Sequence, residues 1–186
     1  LSYIGKTPTS VPLTSGDITD GIISTSKIAD DAISAAKLAS GVGGKVLQQV
    51  HATTTTQVSS SSSTLADTTL TAAITPSATS SKILVLATHN GNYVNDSNIN
   101  NALRINLFRD STEIGRTGGV GWIEITNDNL SASISFNVVD SPSSTSAVTY
   151  KTKFANINGT ASVAVQNSFG GDWVTTSYIT LIEIGA

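Results

Sequence analysis

The nine residues Leu130-Ser131-Ala132-Ser133-Ile134-Ser135-Phe136-Asn137-Val138 alternate apolar and polar side chains without a break. Successive side chains of a strand point to opposite faces of a sheet. This spacing therefore gives Leu130, Ala132, Ile134, Phe136 and Val138 one core face and leaves the four polar residues outside. The same rhythm sets Val148, Tyr150 and Phe154 against Thr149, Lys151 and Lys153. Working outward, strands are expected at 46–54, 64–74, 82–89, 102–109, 120–126, 160–166 and 177–184, separated by turn clusters such as RDSTE, TNDN, DSPSST and NING. That many short strands in a head of about 140 residues argues for a β-sandwich or jelly roll.

Composition agrees with this reading. Of the 186 residues, 39% are hydrophobic, enough for one core, whereas only 12% are charged and an average globular chain has about 25%. Serine and threonine make up the difference at about 28%, and both suit short strands and turns. A net charge of −3 leaves no basic stripe for phosphates, which argues against nucleic acid as a partner. No apolar run approaches a membrane span, and no basic-then-apolar leader opens the sequence. With no cysteine there is neither a disulfide framework nor a thiolate metal site. Stability outside a cell would then rest on association.

The first 42 residues follow another period. Leu13, Ile18, Ile23, Ile28, Ile33 and Leu38 stand five apart, inside a ten-residue unit of the form x-(S/A)-K-(I/L)-A-(D/S)-(D/G)-x-I-S. One isoleucine in five cannot be buried by a single chain. Several chains wound together can bury it, each giving one side chain to a shared axial layer. A helix from about Ser26 to Ala39, with Ile28, Ala32, Ala36 and Ala39 as its stripe, is the alternative, and it too needs partners. Gly41-Val42-Gly43-Gly44 reads as a hinge, which divides the chain into a stalk, 1–42, and a head, 45–186.

Two head strands are apolar on both faces: Ile83-Leu84-Val85-Leu86-Ala87 and Tyr178-Ile179-Thr180-Leu181-Ile182-Glu183-Ile184. One face of each belongs to the core, and the other needs a cover that a second subunit would supply. The repeat SKIADDAIS…AKLASG, the passage PSATSSKILVLA, the segment DSPSSTSAVTYKTKF and the terminal SYITLIEI together resemble the distal part of tail-fibre proteins of marine-type bacteriophages. The head is also similar to the trimeric jelly roll of tumour necrosis factor and the complement globular head. The resemblance implies a homotrimeric fibre with a receptor-binding tip, located on the virion and joined to other tail proteins. It implies a final apolar strand along the three-fold axis. On this reading Ile18, Ile23, Ile28, Ile33 and Leu38 face the axis in the stalk, and Ile179 and Leu181 face it in the head.

Candidate chemistry is sparse. His51 and His89 lie on separate strands and read as polar strand-edge residues, because a zinc site needs three or four convergent ligands. Glu124 and Glu183 are the carboxylates a glycosidase would need across a groove, yet their place in WIEI and LIEI suits the end of an intersubunit face, paired with a neighbour's Lys or Arg. The segment HNGNYVNDSNINN, 89–101, reads as a long turn-forming loop. It could offer Asp96 and its asparagines to calcium, but lacks the order of a dedicated calcium loop. TGGVG, 117–121, has no strand-to-helix context for phosphate. No metal, cofactor or catalytic residue is therefore expected. Tyr93, Phe169 and Trp173 stand in Asn-, Gly- and Asp-rich stretches that no strand pattern claims. An aromatic face beside hydrogen-bonding edges is what a sugar ring needs, so these three are the candidate contacts to a host glycan or outer-membrane receptor. Trp173 as a plug at the end of the sandwich is the competing role. The competing function is a head fibre or capsid-decorating trimer with no receptor site.

Overall fold

Strands form where apolar residues keep the two-residue period. The computed structural model describes residues 14, 16, 21, 23, 24, 26, 28, 29, 32, 33, 45–95, 102–117, 129–158, 162–167 and 174–185. Two units divide the chain, Leu1–Gly43 and Gly44–Ala186.

The described elements of the second unit are all strands: β1 (Val46–Thr54), β2 (Val58–Ser60), β3 (Ala66–Ile74), β4 (Lys82–Asn95), β5 (Leu103–Arg109), β6 (Thr112–Arg116), β7 (Asn129–Asp140), β8 (Val148–Asn156), β9 (Val163–Val165) and β10 (Ser177–Ile184). They build two antiparallel sheets. One runs β1-β10-β4-β9-β2 with β7 on the other side of β4, and the second runs β3-β8-β5-β6. Strand β4 serves two partners along one edge, with residues 82–88 paired to β10 and residues 93–94 paired to β9. A bulge between His89 and Asn92, with Gly91 at φ 63°, makes the change of partner possible.

The sheets face each other as a β-sandwich and share one core. Ile83, Val85, Ala87, Ile134, Phe136, Ile179 and Leu181 from the first meet Leu70, Ile74, Leu103, Ile105, Leu107, Tyr150 and Phe154 from the second. Each large aliphatic side chain buried this way contributes about 1.5–3 kcal/mol. Strand β7 carries the expected inward set, and so does β8, where Val148, Tyr150, Thr152 and Phe154 are all buried.

Strands β1 and β10 match their expected spans, whereas β2 and β6 lie between the expected strands, β6 beginning within the RDSTE segment read as a turn. The stretch 89–95, read as loop, continues β4. The expected strand 120–126 lies outside the described residues. Ile179 and Leu181 are fully buried within the chain, which corrects their placement on an intersubunit axis. The face of β10 turned away from the core is Tyr178, Thr180, Ile182 and Ile184.

In the first unit, Ile23, Ile28 and Ile33 are 52%, 38% and 51% exposed in the single chain. A turn closes from the Ala32 N–H to the Ala29 carbonyl, at 3.1 Å. Ile18 and Leu38 lie outside the described residues.

Candidate functional site

A polar cluster lies within the sandwich, among its apolar core residues. Thr68 on β3, His89 on β4, Thr152 on β8 and Ser177 on β10 are turned inward by the same alternation that buries their apolar neighbours, and Gln166, just past β9, is buried with them. Thr152 Oγ1 lies 2.8 Å from His89 Nε2 and 2.6 Å from Thr68 Oγ1. The other ring nitrogen, Nδ1, meets the Gln166 amide at 2.9 Å. When the Gln166 oxygen faces the ring, it accepts from His89 Nδ1 and from Ser177 Oγ, while its nitrogen donates to the Thr68 and Thr56 carbonyls at 3.2 Å. One proton arrangement then satisfies the cluster: Nδ1–H donates to Gln166, Nε2 accepts from Thr152, and Thr152 accepts from Thr68. Burial lowers the His89 pKa from 6.5 to about 4, so the ring is neutral near pH 7. His89 is thus not the strand-edge residue its sequence context indicates. His51 does occupy edge strand β1, where its ring stacks on Tyr178 with centroids 6.2 Å apart.

Directly over this cluster the second sheet opens. The register of β3 on β8 passes from Asp67↔Lys153 to Thr71↔Lys151, so four steps on β3 oppose two on β8. Within the bulge Thr69 takes φ 69°, a conformation that costs a β-branched residue on the order of 1–3 kcal/mol. Its hydroxyl is held 2.8 Å from that of Thr54. The bulge leaves a pocket of about 340 Å³ whose floor includes Thr152 and whose rim carries Asp67 and Lys151. Lys151 and Lys153 place their Nζ atoms 3.5 and 3.8 Å from Asp67, and Lys153 also lies over the Phe108 ring. Nothing in the sequence pattern marks this pocket, because both extra residues preserve the alternation.

A second bulge organises the segment after β9. The Asn167 N–H donates to the Gly91 carbonyl at 2.9 Å, and the Gln166 N–H donates to that of Asn90 at 3.2 Å. Thr175 Oγ1 donates to the Asn167 carbonyl, and Asn90 Nδ2 to that of Thr176. Asn167 and Thr176 are therefore both bonded to β4, and Thr175 bridges back to Asn167. A Cβ on Gly91 would lie 2.8–2.9 Å from the Asn167 backbone and run into Thr175 Oγ1, so only glycine fits. Phe169 and Trp173, proposed from sequence as receptor contacts, lie outside the described residues, as do Asp96 and Glu124. Tyr93 is a half-buried residue of β4, paired with Ser131 and Ala164, and not the loop residue its Asn-rich context indicates.

Glu183 is fully buried inside the chain, which corrects the intersubunit pairing expected for it. Its carboxylate accepts from the Ser77 N–H at 2.7 Å, from Ser77 Oγ and from Gln48 Nε2. Burial alone would raise its pKa, but these donors prevail and hold it at about 2.

The outer face of the first sheet is apolar where β10 and β4 adjoin. Ile182 pairs with Leu84, which pairs with Val139 across β7. Leu86 lies on the same face, Val139 is 58% exposed and Leu47 at the sheet edge is 50% exposed.

Neither a protein-family model nor a curated protein matches the chain. A solved structure that it resembles is the infectious bursal disease virus VP2 subviral particle, with 16% identity and a TM-score of 0.32 over 76% of this chain. This chain spans 38% of that one.

Proposed function

We propose that the chain is a homotrimeric structural component of a virion, a bacteriophage tail-fibre tip that attaches the particle to the host surface. The observation that carries the trimer is the outer face of the β1-β10-β4-β7 sheet. Leu84, Leu86, Ile182 and Ile184 sit there, only partly covered by their own chain, beside the exposed Leu47 and Val139. Contiguous apolar surface of this kind marks an interface. The exposed Ile23, Ile28 and Ile33 of the first unit ask for the same kind of partner. With β2 and β9 set aside, the eight main strands run 1-8-3-6 in one sheet and 2-7-4-5 in the other, the order of two interlocked Greek keys in a jelly roll.

Attachment rests on the sequence resemblance and on the Asn-, Gly- and Asp-rich stretch between β9 and β10, whose flanking residues Asn167 and Thr176 are bonded to β4; segments that connect strands of a rigid scaffold commonly carry recognition. Three weak sites on a trimer, multiplied over several fibres, would raise avidity by about 10²–10⁴. The test is adsorption of labelled trimers to host cells. The wild type is expected to bind, and Trp173→Ala to lose most binding while staying trimeric. Normal adsorption of Trp173→Ala would make Trp173 a plug. No adsorption by the wild type, with labelled protein found on the capsid of intact particles, would favour the decorating trimer. New reducing ends released from host polysaccharide would make the protein an enzyme.

A further inference from the structure

We propose that the pocket opened by the β3 bulge binds one neutral sugar residue of a host surface glycan; the glycan's origin rests on the attachment reading above, and the pocket's chemistry does not. The bulge is a built feature. Two additional residues on β3, a threonine at positive φ and a hydroxyl contact from Thr54 hold the strand away from β8 where an uninterrupted ladder would have closed the gap. The resulting space, about 340 Å³, lies at the small end of ligand pockets and has room for one pyranose ring.

Its lining selects among ligands. Asp67 and Lys151 are the charged members of the lining, and Lys153 Nζ lies 3.8 Å from the same carboxylate, so a cation is disfavoured and the ammonium groups already share Asp67. One carboxylate is also too few for a metal ion. The other groups are the exposed Thr69 and Thr71 and the half-exposed Thr149, above the buried Leu70 and Thr152, and the three accessible threonines place methyl surface beside hydroxyls. A neutral ring with C–H faces and equatorial hydroxyls matches that mixture: methyls against the ring, hydroxyls to the threonines. The Asp67 carboxylate, 60% exposed and contacted by Lys151 and Lys153, has lone pairs left to accept from a sugar hydroxyl, and the Lys151 ammonium can donate to another. Beneath the floor, Thr152 is held by His89 and Thr68, so the base of the pocket is fixed before any ligand arrives.

The experiment is an amide-shift titration of the full chain with glucose, galactose, mannose and N-acetylglucosamine at millimolar concentration, on wild type, Asp67→Ala and Thr149→Arg. At least one sugar should shift the amides of Thr69, Thr71, Thr149 and Lys151, with affinity at least tenfold weaker in both variants. Asp67→Ala, altered at an exposed side chain, keeps the comparison valid if Thr149→Arg fails to fold. Shifts confined to other residues, no shifts with all four sugars, or unchanged affinity in a folded Asp67→Ala would overturn the pocket. Adsorption of the same proteins to host cells separates the two readings. Sugar binding at the pocket without wild-type adsorption sinks attachment and leaves the pocket, whereas adsorption without pocket shifts sinks the pocket alone.

Discussion

His89 Nε2 and Thr152 Oγ1 lie 2.8 Å apart and join interior strands of the two sheets through the middle of the sandwich. In the proton arrangement that satisfies the cluster Nε2 accepts from Thr152 and the imidazole is neutral, and burial holds the ring's pKa near 4. In the unfolded chain the ring takes up its proton near 6.5, so below that pH the unfolded state binds more protons and folding stability falls. The loss begins near pH 6.5, levels off below about 4 and amounts to about 3 kcal/mol. Urea midpoints measured from pH 7.5 to 3.5 should show this limb in the wild type, and His89→Leu should lack it.

Glu183 produces a second, lower window. Its folded pKa of about 2 lies below the ordinary 4.5, so it contributes stability above 4.5 that is lost as the pH falls towards 2. Glu183→Gln should flatten the stability curve below pH 4.5 and leave the His89 limb unchanged.

Asp140 ties the sheets together at the surface. Arg109 Nη1 donates to both of its oxygens, at 2.9 and 2.8 Å, and the Tyr150 hydroxyl donates to Oδ2 at 2.7 Å. Tyr150→Phe removes a hydrogen bond to a charged acceptor and should cost about 1.5–3 kcal/mol in chemical denaturation.

Gly91 is the backbone position on which the bonding of Asn167 to β4 depends. Gly91→Ala imposes a side chain at φ 63° and onto Asn167, and should destabilise the head by more than about 2 kcal/mol. Thermal unfolding checks the magnitude.

Much of this architecture was legible in the sequence, because each long strand keeps its alternation. The spans of β1 and β10 and the inward faces of β7 and β8 follow directly. The weak edge strand β6 was not legible, since Ile114 is the lone large apolar residue among Thr112-Glu113-Ile114-Gly115-Arg116. The buried cluster could have been found by the same rule that gave the core: Thr68, His89 and Thr152 share parity with Leu70, Ala87 and Tyr150, and residue type alone suggested the surface. Parity likewise turns Ile179 and Leu181 inward with Glu183. The strand's second apolar face is therefore Ile182 and Ile184, and the residues first assigned to an axis are core. The bulges at Thr69 and Gly91, which make the pocket and seat Asn167 on β4, arise from register between strands distant in sequence, and no local pattern encodes that.

This division of β10 makes opposite predictions for neighbouring residues. Leu181→Asp buries a charge in the core and should abolish folding. Ile182→Asp leaves the interior untouched and should yield a folded head that no longer associates. Circular dichroism and size-exclusion chromatography distinguish the two. Ile28→Asp should weaken association through the first unit while leaving the β-sheet signal intact.

The central claim is that the outer face of the β1-β10-β4-β7 sheet is covered by two further copies of the chain. Sedimentation equilibrium of the full chain at micromolar concentration tests it most directly. The account predicts a single species of three times 19.1 kDa, reduced to a folded single-chain mass by Ile182→Asp. A wild-type protein that sediments as a stable, folded 19.1 kDa monomer would contradict it.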